Sequence, residues 1–289
     1  MKILRFLVSS VLFEAVVFLL IFAYGWFYGI TDDELAAVLS GAYLIFLVGY
    51  FWWNSRKSRR GLLKMAAILA VFVLAIVWGY HMEQQKQIPQ RLLDFAEKYP
   101  QAREFVNAYP TEAAKEHDMD ISGEVQQGTI PYFIQWDKRW GYETYGNGYI
   151  ADAACGPTCM SMIVCGLTGN TEFNPYEAAC YAQENGYYIS GQGTAWSFMT
   201  DCAEHFGLKV TSGQVSEDYI REYLSEQTPM ICSMYPGDFT YAGHFIVLTG
   251  FDEAGNIRVH DPNSPENTQK TWTMEEILPQ IHALWGYVY

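Results

Sequence analysis

Three long, nearly uncharged apolar runs, at residues 3–30, 35–53 and 62–80, dictate the solvent in which the first part of this chain can fold. A helix needs about twenty apolar residues to cross the hydrocarbon core, where no water is available to satisfy free backbone groups. The runs therefore predict three transmembrane helices and a lipid bilayer as a partner. Tyr24, Trp26 and Tyr28, then Trp52 and Trp53, then Trp78 and Tyr80 stand at the expected boundaries, where amphipathic rings lie at headgroup level. Lys2 and Arg5 precede the first run, and Arg56, Lys57, Arg59, Arg60 and Lys64 crowd the second junction, so both ends are expected on the cytoplasmic side. The connection Thr31-Asp32-Asp33-Glu34 carries no basic residue and is expected outside, which leaves the chain beyond residue 81 extracytoplasmic. A cleaved signal peptide is the weaker reading of the first run, which is longer than a usual signal core and is followed by two more spans. Glu14 lies well inside that run; an ionisable group there is costly and is expected to be protonated or to face the bundle.

Residues 82–129 read as a helical stalk and linker. Leu92, Leu93, Phe95 and Ala96, then Phe105 and Val106, recur at roughly helical spacing; Pro100 is expected to separate two short helices and Pro110 to end the second. Residues 111–129 are acidic and punctuated by glycine, as in an irregular connection. The remaining residues, 130–289, are long enough for one domain. Asp and Glu number 32 against 18 Lys and Arg, for a formal net charge of -14, and no basic stripe breaks the acidic surface. Nucleic acid is thereby excluded as an expected partner. All six cysteines lie beyond residue 150 without the C-x-x-C spacing of a structural zinc site, so neither a metal nor a cofactor is expected. Their spacings select no disulfide pairing.

The segment Ala153-Ala154-Cys155-Gly156-Pro157-Thr158-Cys159-Met160 places a cysteine just before a proline and a helix-compatible apolar run. Proline favours the first helical position, so a helix is predicted to start near Pro157 and to end at Gly166 or Gly169. Cys155 then sits at a helix N-terminus, where the dipole and free amide groups favour a reactive thiolate. Cys159 is one turn further on and is the rival nucleophile, but within the helix its amide is already bonded. The other four cysteines read as core or disulfide residues. A thiolate needs an imidazole, and His244, in Ala242-Gly243-His244 ahead of the apolar run 245–248, stands at the mouth of a predicted strand. The turn-forming stretch 252–256 should fold this strand back as a hairpin, bringing positions near 261–265 opposite His244. Asp261 and Asn263 are both candidates to orient the imidazole, while His260 should point to the other face. Gln135, in the stretch from Ile130 to Tyr142, has an amide suited to stabilise charge on a substrate carbonyl.

The stretches IPYFIQWDKRWGY, ACGPTCMSM, NGYYISGQGTAWSFM, PMICSMYPGDFTYAGHFIVLTGFD and RVHDPNS occur in the order found in a known family. From about Ile130 to its end the chain resembles the cysteine peptidases named after bacteriocin-processing, double-glycine-leader peptidases. That resemblance implies an α+β, papain-like domain in which a helical half carries the cysteine and an antiparallel sheet carries the histidine and aspartate. It also implies Cys155 as nucleophile, His244 as base, Asp261 as orienting acid, Gln135 as oxyanion donor, and a peptide or protein substrate. Ala154 departs from the glycine frequent before the cysteine in relatives. The namesake peptidases act on the cytoplasmic side of ABC exporters, whereas this domain is expected outside, so their leader-processing role is not carried over. The loops around residues 190–197 and 233–240 are expected to border the cleft, with Trp196 as a wall, and Trp140 and Asp201 are expected to be structural. The competing readings are an anchored peptide-recognition module without turnover and a cell-wall endopeptidase of the NlpC type, the second being disfavoured by Gln135 and by Asp261-Pro262-Asn263.

Overall fold

Two short helices, α1 (Gln90–Lys98) and α2 (Arg103–Glu112), open the part of the chain that the computed structural model describes, residues 88–289 together with the single residue Gly49. The spans expected at 3–30, 35–53 and 62–80 lie outside the described residues, Gly49 excepted. Among the described residues no helix is long and apolar enough to cross a membrane. The chain divides into two compact units, Met1–Glu83 and Gln84–Tyr289.

Helices α1 and α2, expected as a stalk, are docked on the domain that follows them. Their apolar faces, carried by Leu92, Phe95, Phe105 and Val106, form a small core with Tyr142 and Ala151. The Phe105 ring stacks on Tyr142 at 4.2 Å, and the Tyr142 hydroxyl donates to the Phe105 carbonyl at 2.7 Å. An amphipathic helix of two or three turns is marginal in water and gains its stability from such packing. Pro110, expected to end the second helix, lies inside its last turn, and the helix stops two residues later. Lacking an N–H, Pro110 cannot donate to the carbonyl four residues back, and the helix does not run on past this turn.

Helix α3 (Cys155–Thr168) is the axis of the domain, and every residue from Gly156 to Leu167 is buried. It begins two residues before the predicted Pro157 and ends where Gly169 adopts a left-handed conformation at φ 76°, the geometry of a glycine C-cap. Helices α4 (Pro175–Glu184) and α5 (Phe198–His205) close one side of it through Ala178, Ala179, Ala182, Phe198 and Met199. The other side rests on a six-stranded antiparallel sheet built from β1 (Lys209–Ser212), β2 (Met230–Met234), β3 (His244–Phe251), β4 (Ile257–His260), β5 (Thr271–Trp272) and β6 (Ile281–Val288). The strand order is β1-β6-β2-β3-β4-β5.

Strand side chains alternate between faces, and here both faces are covered. Ile231, Phe245, Val247, Trp285 and Tyr287 meet α3, while Met230, Cys232, Ile246 and Leu248 enter a second core with Ile220, Trp272 and Ile277. This explains why 245–248 is continuously apolar instead of alternating. In register, Met234 faces His244 and Val247 faces His260, with an irregularity between Leu248 and Gly250. His244 therefore starts its strand and Asp261 follows the end of the neighbouring one.

Gly166 shows how closely the upstream segment crosses α3. A Cβ at this position would come within 2.6 Å of Ile130 Cδ1 and 2.8 Å of the Ile130 Cα, and the Gly128 amide donates to the Gly166 carbonyl at 2.8 Å. Gly166→Ala is expected to lower stability by about 1–3 kcal/mol, the usual cost of overpacking a filled core, as measured by urea denaturation.

Candidate active site

Cys155 is the first residue of α3 and is partly exposed, whereas Cys159, one turn on, is fully buried. Burial, with the nearby Cys155 charge, pushes the Cys159 thiol well above its ordinary range, and burial likewise raises Cys165, Cys202 and Cys232. These four are thereby held as neutral thiols, which are poor nucleophiles. None of the six cysteines forms a disulfide.

His244 is buried, and its Nε2 donates to Asp261 Oδ1 at 2.7 Å. With Nε2 so engaged, the other ring nitrogen is left for the Cys155 side chain, which is close enough to influence the imidazole. Burial alone would drive the proton off this ring; the Asp261 carboxylate, by charge and by hydrogen bond, and then Cys155 outweigh it and push the His244 pKa up to about 10. The imidazolium is thus held between a carboxylate and a sulfur.

Asp261 has no exposed surface, and its oxygens are filled by protein donors. Oδ1 also accepts from the Asn263 amide at 2.8 Å, and Oδ2 accepts from Asn267 Nδ2 at 2.8 Å. The Asp261 backbone is pinned as well, its amide donating to Thr268 Oγ1 at 2.9 Å and its carbonyl accepting from the Tyr132 hydroxyl at 3.0 Å. Of the two residues left open as the His244 partner, Asp261 makes the contact. The buried Asn263 contributes its backbone amide instead, and its side-chain Oδ1 has no partner. His260 turns away, its Nδ1 against the Pro131 carbonyl at 3.2 Å.

Gln135 is buried beside this cluster. Its backbone amide donates to the Pro262 carbonyl at 2.7 Å, and its side-chain amide donates to the carbonyl of Ala151, one turn before Cys155. One of its two amide protons is thereby committed and Oε1 has no partner. Trp136 adds a third tie between these segments, Nε1 donating to the Asn263 carbonyl at 3.1 Å. The 190–197 loop borders the start of α3 through Thr194, since a Cβ on Gly156 would meet the Thr194 Cβ at 3.0 Å. Trp196 itself lies edge-on to His282 at 4.8 Å and to Trp285 at 5.6 Å, against the last strand. Trp140 is fully buried, and Asp201 accepts from the Tyr187 hydroxyl at 3.0 Å.

The sequence did not point to Asn267, Thr268 or Tyr99. Ser264-Pro265 does mark the start of the short helix Pro265–Gln269, with the Ser264 hydroxyl accepting from the Asn267 amide. That this one turn curls back to fill Asp261 Oδ2 is a tertiary fact without a sequence signal.

The family model for the Peptidase_C39 like family matches residues 127–287, more than half of the chain. Among solved structures, the peptidase domain of Streptococcus ComA, a bi-functional ABC transporter involved in a quorum sensing pathway, is 17% identical with a TM-score of 0.37, covering 47% of this chain and 91% of that one. No curated protein matches this sequence.

The raised His244 pKa has a definite sign in stability. The folded protein holds the His244 proton more tightly than an unfolded chain, whose pKa is the ordinary 6.5, so this contribution is complete below 6.5 and vanishes as pH rises through about 10. Asp261→Asn removes the charge that raises the pKa. The expected result is a midpoint for His244, followed by NMR, that moves downward, and a stability gap to the unaltered protein that closes between pH 6.5 and 10 in denaturant titrations. A midpoint that stays put would show that Asp261 is not the cause.

Proposed function

The chain belongs to the Peptidase_C39 like family and is a cysteine peptidase by that membership; on this footing we propose that it is a membrane-anchored, extracytoplasmic enzyme that cleaves peptide or amide bonds through Cys155, His244 and Asp261, with Gln135 as an oxyanion donor. The observation that carries this reading is the buried imidazole of His244, hydrogen-bonded to Asp261 and influenced by Cys155 at the start of α3.

The chemistry follows from that row. With the proton resident on His244, the Cys155 sulfur attacks the substrate carbonyl carbon as a thiolate, and the carbonyl oxygen takes up the negative charge. The Cys155 backbone amide, at the start of α3, and the second amide proton of Gln135 are the donors assigned to that oxygen. His244 then gives its proton to the nitrogen as the carbon–nitrogen bond breaks, leaving a thioester on Cys155. Water attacks the thioester, its proton returns to His244, and the acid product leaves. Asp261 keeps Nε2 occupied throughout, so that Nδ1 always faces the sulfur.

The membrane assignment rests on the three apolar runs and on the distribution of basic residues around them. Both support a bilayer anchor with the catalytic domain on the outer side.

Iodoacetamide is expected to label the wild-type protein at Cys155 and to leave Cys155→Ala unlabelled, as read by intact-protein mass spectrometry. Equal labelling of the two would remove the nucleophile assignment. Gln135→Ala is expected to keep its labelling while losing about a hundredfold in hydrolysis of a peptide library, the usual cost of one oxyanion donor. Binding of library peptides by the wild type without any cleavage would instead favour a recognition module.

A further inference from the structure

Upstream of the family-matched segment, the turn between α1 and α2 reaches the same side of the site as His244. Lys98, Tyr99 and Pro100 form one wall of a cavity of about 360 Å³. The opposite walls come from the loop that leads into His244, through Asp238, Thr240 and Tyr241, and from the residues after Asp261, through Asn263 and Asn267. Tyr99 is fixed there rather than dangling. Its ring packs on Phe95 at 5.2 Å and faces Tyr241 at 6.3 Å, and its amide donates to the Phe95 carbonyl at 2.8 Å. Tyr99 lines this cavity together with Thr240 and Asn263. Burial raises the pKa of its hydroxyl, which the charges of Cys155 and Asp261 raise further.

A second observation says that the cavity is built for a polar ligand. Asn263 is buried, yet its Oδ1 has no hydrogen-bond partner. A buried acceptor left empty is costly, on the order of 1–3 kcal/mol, and is satisfied where a water or a ligand supplies the missing donor. The side of the site on which the cavity lies identifies that ligand. His244 delivers its proton to the departing nitrogen, so the leaving half of the substrate must lie on the His244 side of the sulfur. Both non-helical walls of the cavity flank His244 and Asp261 in sequence.

Resting on the cysteine peptidase reading above, we propose that Tyr99 is a specificity-determining residue: with Asn263 it hydrogen-bonds the backbone of the amine-side half of a peptide substrate in this cavity. The docked helix pair is then part of the enzyme's cleft. A peptide amide N–H fills Asn263 Oδ1, and the Tyr99 hydroxyl, both donor and acceptor, meets a backbone group next to it.

The leaving-group side is read most directly in the reverse direction, from the thioester. The full 289-residue chain in detergent is acylated with the p-nitrophenyl ester of N-benzoylglycine, and glycyl-phenylalanine amide competes with water for the acyl group. In the amine path, a carbon–nitrogen bond forms, the carbon–sulfur bond breaks, and the amine proton passes to His244 as the Cys155 thiolate departs. The ratio of dipeptide product to free acid does not depend on how fast the thioester forms. Tyr99→Ala is expected to lower this ratio about fivefold, the value of one neutral hydrogen bond, and Tyr99→Phe to lower it by a similar factor with the ring retained. Hydroxylamine, too small to span the cavity, is expected to keep its ratio in both variants. A dipeptide ratio unchanged in Tyr99→Phe, or a parallel fall with hydroxylamine, would overturn the role of Tyr99 while leaving the peptidase reading intact. Should Tyr99→Ala fail to fold, Tyr99→Phe decides alone. Absence of Cys155-dependent ester turnover in the wild type would overturn both.

Discussion

A histidine whose pKa is raised inside a protein constrains everything around it. Burial opposes the charge of His244, and the opposition is met by one carboxylate at 2.7 Å and one sulfur. Asp261 in turn has to be satisfied without water, and three segments converge to do this: 130–136, the start of β3, and the stretch after β4. Removing a single partner from such a cluster leaves a buried charge without its counterpart, which is far more costly than never having buried the pair. The strand register, the short helix after Asp261 and the upstream loop are therefore parts of one electrostatic solution.

Helix α3 supplies the other half of the geometry. Because both its flanks are packed, on the sheet and on α4 and α5, its N-terminal end is held rigidly against the beginning of β3. The same burial sorts the cysteines. A thiolate deep in an apolar core is prohibitive, so Cys159, Cys165, Cys202 and Cys232 remain neutral, while Cys155 alone combines partial exposure, a helix start and an adjacent imidazole. Reactivity is assigned here by solvation and partners, with identical side chains in every case.

The site was legible in part. Proline after Cys155 announced the helix start, the glycine C-cap announced its end, and the hairpin chemistry of 252–256 brought Asp261 toward His244. The choice between Asp261 and Asn263 was not legible, because β4 ends at His260 and the chain leaves the strand ladder before it reaches the level of His244. Gln135 was singled out from its type and place, yet its side chain is tied to the Ala151 carbonyl, a contact that depends on the 130–136 loop crossing α3 at Gly166. The helices at 90–112 were recognised as amphipathic, but their partner surface, Tyr142 and Ala151, lies in a different part of the sequence.

What the amino-acid sequence determined on its own was local: where helices and strands begin and end, which residues carry chemistry, which stretches are apolar enough for lipid, and the family to which those patterns are similar. Each depends on neighbours a few positions away, through backbone sterics, capping and periodic hydrophobicity. Tertiary structure decided which donors fill Asp261, which sulfur meets the imidazole, and that the turn after α1 walls the cavity beside His244. Those outcomes arise from contacts between residues far apart in sequence, where a shift of one position in register or one missing Cβ redirects a side chain, and no local preference encodes them.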